Sequence, residues 1–187
     1  MVLILMNGTV KKTASRDSED RKLGEKLFWL LVLASALHMI YYYPLLPDRV
    51  ASHFDAYGRP NGWSGKTVFF SIYAGVVVLM AVIKTATRLS LTKMPVSLIN
   101  LPNKDYWLSP ERYAGSMAVL MKYMNGFWSA TLFFLMGTMH LAFRANLGWG
   151  QGLGDWFFVL LGGYILFTIA WSVSLIRRFA RKPERRY

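Results

Sequence analysis

Three histidines are the residues of this sequence whose type and placement could support cofactor chemistry. His38 and His140 each lie a few residues before the end of a long apolar segment. At a rise of about 1.5 Å per residue, both imidazoles are expected roughly 8 to 10 Å below the same membrane face. Two imidazoles at one depth could ligate a haem iron, or a metal ion together with His53 or Asp55.

Interhelical hydrogen bonding is the simpler role for the same histidines, because a neutral imidazole can bond to Ser, Thr or a carbonyl inside a helical bundle. Arg144 follows His140 by one helical turn, and a cation beside a ligand nitrogen disfavours metal binding. The chain has no cysteine, which excludes thiolate metal sites. We therefore expect no metal and no cofactor, and keep a haem or metal site at His38 and His140 as the alternative.

Catalysis would need a nucleophile with a base, a metal cluster or a phosphate-binding loop at workable spacing, and the sequence presents none of these. The glycine-rich stretch 148–154 is a short connection between helices and not a strand-to-helix turn that holds a nucleotide. Transport is weakly supported because the apolar segments lack acidic residues. We expect a protein with no catalytic residues.

Four apolar segments predict the helices that position these residues. The chain is 54% hydrophobic and 17% charged over 187 residues, whereas about a quarter of an ordinary soluble domain is charged. A helix needs about 20 apolar residues to cross a hydrocarbon core of about 30 Å. The predicted fold is an all-α integral membrane domain over residues 27–176, with spans at 27–43, 67–83, 126–147 and 156–176.

Basic residues predict the orientation of these spans. Segments 1–26, 84–125 and 177–187 carry eighteen Lys and Arg together, against four in the other two connections. Lys and Arg accumulate on cytoplasmic loops, so both termini and the middle loop are predicted to be cytoplasmic. The net charge of +12 then reflects topology and lipid contact and not nucleic-acid binding.

The termini are predicted to be extramembrane segments. Residues 1–26 form a polar and basic arm, mobile over residues 7–26, and residues 177–187 form a basic tail. The apolar start is too short for a signal peptide, so no cleaved export signal is expected and the first span directs the chain to the membrane.

The middle loop is predicted to contain an interfacial amphipathic helix. Ser109, Pro110 and Glu111 form a helix-start signal. Apolar residues then recur every three to four positions from Tyr113 to Met124. This helix is expected to lie at the membrane surface and to run into, or bend into, the third span.

The outer loop 44–66 is rich in turn-forming residues, which predicts a compact loop with several turns. Such a loop would hold Asp48, Arg49, His53, Asp55 and Arg59 in fixed positions. These side chains either recognise a partner or pair with one another to cap the bundle.

Two blocks of sequence carry a family resemblance. LPDRVASHF at residues 46–54, followed by GRPNGW at residues 58–63, resembles the signature of a bacterial membrane domain of unknown function that also forms the N-terminal part of Sdp-type immunity proteins. The segment INLPNKDYWLSPER at residues 99–112 looks like a second block of stand-alone members of that family. The resemblance implies a multi-pass protein of the bacterial inner membrane.

Together these features predict a binding, assembly or accessory subunit whose partners are the lipid bilayer and other membrane protein subunits. The alternatives are an Sdp-like immunity or sensing protein, a haem- or metal-binding protein, and binding of a lipid or cell-wall precursor by the middle loop. The two blocks lie on opposite predicted sides of the membrane, so we expect two independent contact surfaces. The candidate residues in the outer loop are Asp48, Arg49, His53, Phe54, Asp55, Arg59, Asn61 and Trp63, and those in the cytoplasmic loop are Asn100, Pro102, Asn103, Tyr106, Trp107, Glu111 and Arg112.

Overall fold

A computed structural model describes the backbone of residues 2–181 and the side chains of residues 19–90 and 93–181. Four long helices alternate with a hairpin, a one-turn helix and a short connection. A single 3-10 turn at Val96–Leu98 precedes the one-turn helix. In chain order the elements are α1 (Val2–Tyr42), β1 (Arg49–Phe54), β2 (Pro60–Gly65), α2 (Lys66–Lys93), α3 (Lys104–Trp107), α4 (Tyr113–Asn146) and α5 (Asp155–Ala180).

The four long helices confirm the prediction of an all-α multi-pass membrane protein. Each contains a stretch that is long and apolar enough to cross a membrane, and all four stretches include the corresponding predicted span or nearly all of it. They extend furthest beyond the predicted spans at the end of the bundle remote from the hairpin. These stretches are Glu19–Tyr42, Lys66–Ser90, Tyr113–Asn146 and Asp155–Ala180.

We call the two ends of the bundle the hairpin end and the basic end. The hairpin end carries β1, β2 and the connection 147–154. The basic end carries the segment 94–112, the end of α5 and the part of α1 around residue 20. The helix extensions at the basic end contain charged residues that pair across helices, as Glu25 does with Lys84 and Arg88.

Helix α4 is the centre of the bundle because it packs against α1, α2 and α5. Its Leu132 and Phe143 are fully buried, and Phe28 of α1 is equally inaccessible. Helix α5 packs against α4 and leaves most of its apolar side chains exposed, including Leu166 and Ile176. The architecture is therefore a three-helix core of α1, α2 and α4 with α5 added on the outside of α4.

Residues 113–125 are the first turns of α4 itself, so the helix predicted before the third span runs into that span without a break. The expectation of a mobile arm is wrong for residues 19–26, which are helical and held against α4. Lys122 bonds to Asp20 at 2.6 Å, and the amide of Asn125 donates to the Arg21 carbonyl at 3.1 Å. The side chains of residues 1–18 and the tail residues 182–187 lie outside the described residues.

The outer loop contains a β-hairpin where the sequence predicts only turns. Strands β1 and β2 are antiparallel, with Arg49 opposite Gly65 and Ala51 opposite Trp63. An irregularity of register interrupts the pairing at His53. The hairpin is short and rich in glycine, so side-chain alternation alone signals it poorly.

The segment before α4 closes the basic end by capping α5. The indole N–H of Trp107 donates to the Phe179 carbonyl at 2.7 Å, and the amide of Asn103 donates to the Ala180 carbonyl at 2.8 Å. The last carbonyls of a helix have no partner within the helix, so these contacts satisfy groups that would otherwise be unpaired. Ser116 of α4 in turn donates to the Trp107 carbonyl at 2.7 Å.

We expect Trp107→Phe to loosen the end of α5, because the phenyl ring retains most of the packing but cannot donate to the Phe179 carbonyl. The expected loss of stability is about 1 to 2 kcal/mol, measured by thermal unfolding in detergent. Hydrogen exchange should rise in residues 176–180. Trp149→Phe is the matched control, since Trp149 is exposed at the hairpin end, and an equal effect of the two substitutions would contradict the capping role.

Candidate functional site

The side chain of Asn146 attaches the hairpin to the membrane domain. Its Oδ1 accepts a hydrogen bond from the Ala51 N–H at 2.7 Å, and its Nδ2 donates to the Ala51 carbonyl at 3.0 Å. The amide therefore pairs with β1 as a neighbouring strand would. The same Nδ2 also donates to the Ala142 carbonyl at 2.9 Å, which orients the side chain at the end of α4. Val50, the residue before Ala51, is fully buried against the bundle.

Lys66 forms a second attachment, where β2 meets α2. Its ammonium donates to the Leu46 carbonyl at 3.0 Å and lies 3.3 Å from the Asp48 carboxylate. It also lies 5.1 Å from the centre of the Tyr43 ring, within the range of a cation–π interaction. Asp48 is thus placed by Lys66 while its carboxylate stays open to solvent.

The tip of the hairpin forms a third attachment, to the connection 147–154. Asp55 Oδ1 accepts from the N–H groups of Tyr57 and Arg59, both at 2.9 Å, and so shapes the turn. The Leu153 N–H then donates to the Gly58 carbonyl at 2.9 Å. At Gly152, whose φ is +123°, a Cβ would lie 2.1 Å from the Gly58 oxygen, so only glycine permits this approach.

A set of side chains on the hairpin remains exposed once these attachments are made. Trp63 is 54% exposed and Tyr57 is 73% exposed, and Arg59 lies over the Tyr57 ring at 5.1 Å. Tyr57 is absent from the sequence-derived candidates, although an aromatic residue at the tip of a turn is a signal for it. We call this set the hairpin surface: Arg49, His53, Tyr57, Arg59, Asn61 and Trp63.

His53 and Phe54 occupy different environments on the hairpin. The imidazole of His53 lies against Gly62, where a Cβ would come within 3.0 Å of the His53 Cβ. The Ser52 hydroxyl is 3.2 Å from its Nδ1. Phe54 is half-buried and packs against the hydrophobic core. Phe54 and Asp55 therefore hold the hairpin in shape, whereas His53 contributes to its surface.

Below the hairpin, His38 and His140 meet between α1 and α4. His38 Nε2 lies 3.4 Å from His140 Nδ1, and the Tyr42 hydroxyl lies 3.3 Å from the same nitrogen. His140 Nδ1 carries one lone pair or one hydrogen, so it bonds fully to one of these two groups at a time, and its tautomer decides which group donates. The two histidines thus lie at one depth, as the sequence predicts, and contact each other directly.

Aromatic rings enclose the histidine pair. The His38 ring is 4.9 Å from the Phe143 ring and 4.8 Å from the Tyr42 ring, centre to centre. Tyr73 of α2 closes the cluster, with its ring centre 6.3 Å from that of His38. Since bis-histidine haem ligation places a porphyrin between the two rings, that hypothesis requires α1 and α4 to separate from the arrangement described here.

A metal ion held by three side chains has no assembled ligand set in the described part of the chain. No three His, Cys, Asp or Glu side chains of those residues lie together in a suitable group. His53 lies on the hairpin surface and Asp55 in the turn, so neither joins the buried histidine pair.

The candidate residues of the middle loop divide into structural and exposed groups. Trp107, Asn103 and Tyr106 pack at the end of α5. The exposed residues are Asn100, Pro102, Glu111 and Arg112. The Arg112 guanidinium lies 4.2 Å from the centre of the Tyr106 ring.

Glu111 is anionic over an extended pH range. Hydrogen bonds to its carboxylate from its own backbone N–H and from the Ser109 hydroxyl lower the pKa of Glu111, and the nearby Arg112 acts in the same direction. The exposed part of the middle loop therefore presents a negative and a positive charge side by side.

The fold defines an α-helical multi-pass membrane protein with a hairpin anchored on one end. Comparison with known families adds that residues 30–80 match a domain of unknown function, DUF1648. The match runs from α1 through the hairpin into α2, so it includes the first resembling block and excludes the second, at residues 99–112. No curated protein and no solved structure shows significant similarity to the chain.

Replacing Asn146 should release the hairpin. Asn146→Ala leaves the N–H and carbonyl of Ala51 without their partners, which we expect to cost about 1 to 3 kcal/mol. Hydrogen–deuterium exchange should accelerate across residues 48–65 while the spanning helices stay protected. Asn61→Ala removes an exposed amide from the same hairpin and is the control. Unchanged exchange in the Asn146 variant would show that the other two attachments suffice.

Proposed function

We propose that this protein is a non-catalytic protein of the bacterial inner membrane that acts as a binding, assembly or accessory subunit. The observation that carries the proposal is the anchoring of the hairpin at three separate points, at Asn146, Lys66 and Leu153. The hairpin surface is therefore held in one geometry relative to the spans.

Anchoring matters because ordering a flexible loop on binding consumes part of the interaction energy. Here the loop is ordered before any partner arrives. The exposed residues Trp63, Tyr57 and Arg59 belong to the types that dominate binding energy in protein interfaces. The ion pairs of Asp48 with Lys66 and of Asp55 with Arg59 fit the capping alternative for these two acids. The Arg59 side chain is still 69% exposed, so it remains available for recognition together with the aromatic residues.

The middle loop supports a second, independent contact surface in the proposal. Its exposed residues lie at the basic end, the full length of the bundle away from the hairpin. Because Trp107 and Asn103 bind α5, a partner at this surface would meet Asn100, Pro102, Glu111 and Arg112. Such a subunit contacts partners on both sides of the membrane.

The proposal places the hairpin outside the cytoplasm and both termini inside. Because the chain has no cysteine, single cysteines give a clean test. With intact spheroplasts, a membrane-impermeant maleimide should label Asn61→Cys, whereas Glu111→Cys should label only after permeabilisation. Both side chains are exposed, so accessibility of the thiol is not in question. The reverse pattern would invert the topology.

A partner should co-purify in stoichiometric amount after extraction with a mild detergent. We expect Trp63→Ala combined with Arg59→Ala to reduce the partner's recovery at least tenfold, because both side chains belong to the exposed hairpin surface and neither is buried in the bundle. Leu166→Ala is the control, since Leu166 is an exposed apolar residue of α5. Recovery is measured by quantitative mass spectrometry of the purified complex.

A solitary protein in that preparation would contradict the subunit proposal. The same sample tests the haem alternative, because a Soret absorption band that is lost in His38→Ala and His140→Ala would assign a haem to the pair. A colourless sample would remove that alternative.

An Sdp-like immunity or sensing role is the second candidate. Residues 46–54 and 58–63 resemble a domain of unknown function that also forms the N-terminal part of Sdp-type immunity proteins, and this resemblance supports the role. In that role the hairpin surface would contact a toxin instead of a permanent subunit. Expression of the protein in a toxin-sensitive bacterium should then protect the cells, and substitution of Trp63 should remove protection without lowering the amount of protein in the membrane.

A further inference from the structure

We propose that a groove between α4 and α5 at the basic end binds one anionic phospholipid. The groove has a volume of about 400 Å³. Two cationic side chains lie in one part of the groove, and apolar and aromatic side chains form the rest of its walls. The residues that carry the argument are Lys122, Tyr123 and Gly126 of α4 with Phe167, Trp171 and Arg178 of α5.

The depth of the groove matches the boundary between headgroups and acyl chains. Asn146 marks the hairpin end of α4, and at about 1.5 Å per residue Lys122 lies about 36 Å from it and Gly126 about 30 Å. A hydrocarbon core is about 30 Å thick. Lys122 and, on α5, Arg178 therefore lie at headgroup level, whereas Phe167 lies well inside the hydrocarbon.

The cations are positioned for a phosphate. The guanidinium of Arg178 is exposed and lies 5.1 Å from the centre of the Trp107 ring, which orients it without neutralising it. Lys122 is bonded to Asp20 at 2.6 Å and its side chain is 38% exposed. Guanidinium groups bind phosphate oxygens with two hydrogen bonds, so Arg178 is the main ligand and Lys122 adds charge beside it.

The walls of the groove are fixed before a lipid enters. The Trp171 indole N–H donates to the Tyr123 carbonyl at 2.9 Å, and the hydroxyls of Tyr123 and Ser174 are 2.8 Å apart. Gly126 faces open space, because a Cβ at this position would meet no atom within 4 Å, so a large side chain there would occupy the groove. An acyl chain can therefore lie over Gly126 towards Phe167 while the headgroup binds the cations.

Charge selects an anionic lipid over a zwitterionic one. Lys122 is paired with Asp20, so Arg178 is the cation that discriminates between headgroups. A basic residue near a membrane surface contributes about 1 kcal/mol of attraction to anionic lipid. Arg178 makes this contribution within the groove, which Arg177 does not line. Phosphatidylcholine also carries a phosphate, but its own ammonium group offsets that negative charge. It therefore gains less binding energy from the cations of the groove.

Native mass spectrometry of the delipidated protein in detergent tests the proposal directly. Phosphatidylglycerol and phosphatidylcholine with identical acyl chains are titrated separately. We expect one phosphatidylglycerol to bind at least fivefold more tightly than phosphatidylcholine. Equal affinities of the unmodified protein for the two lipids would overturn the proposal without reference to any variant.

Two pairs of variants then locate the site. Arg178→Gln should reduce the preference for phosphatidylglycerol to less than twofold, whereas Arg177→Gln, with the same change of charge on the same helix, should retain it. Gly126→Leu should fill the groove and weaken both lipids, whereas Gly75→Leu, at an open position on α2, should weaken neither.

Circular dichroism of each variant confirms that the helices are intact. If the two arginine variants have equal effects, the preference for phosphatidylglycerol comes from general surface charge. That outcome would overturn the assigned site. If Arg178→Gln does not fold, the glycine pair and the lipid comparison on the unmodified protein decide the outcome.

Discussion

The hydrogen bonds between the Asn146 side chain and the Ala51 backbone determine how the extramembrane part of this protein sits on its spanning helices. A two-stranded hairpin is marginally stable alone in water. Here the amide at the end of α4 satisfies β1 where a third strand would otherwise be needed. Val50 is buried beside this contact, and Lys66 and Leu153 hold the hairpin at two further points.

At the basic end of the bundle, side chains likewise pair with backbone groups, but here the groups are the last carbonyls of a helix. Helix α5 contacts α4 but little else among the described elements, and its final carbonyls have no partner within the helix. Asn103 and Trp107 donate to those carbonyls. At both ends, therefore, side chains from a loop or a helix terminus pair with backbone groups that the regular elements leave without a partner. Helix α4 connects the two arrangements and holds the bundle together.

The sequence predicts the number and order of the spanning helices because apolar composition is a local property. It also predicts one depth for His38 and His140, since depth follows from the helical rise. Their direct contact and the rings around them depend on how α1 and α4 are rotated, which the spacing does not specify. The hairpin was missed for a related reason. Its docking partner Asn146 lies far along the chain from Ala51, and glycines obscure the alternation of its strands. The longer helices depend on pairs such as Glu25 with Lys84, which form only after the helices pack.

The contact between Gly58 and Leu153 has a consequence for the assembly of the protein in the membrane. Chains are synthesised from the N-terminus and early segments fold first where they can. Residues 44–66 leave the ribosome long before Asn146 and Gly152 exist, so α1, the hairpin and α2 must wait in the membrane with the Lys66 attachment alone. The hairpin reaches its final geometry only when α4 and the connection 147–154 have been added. A protein truncated before Asn146 would display the hairpin residues without the surface they form together, so the completed surface reports that synthesis has passed the connection 147–154.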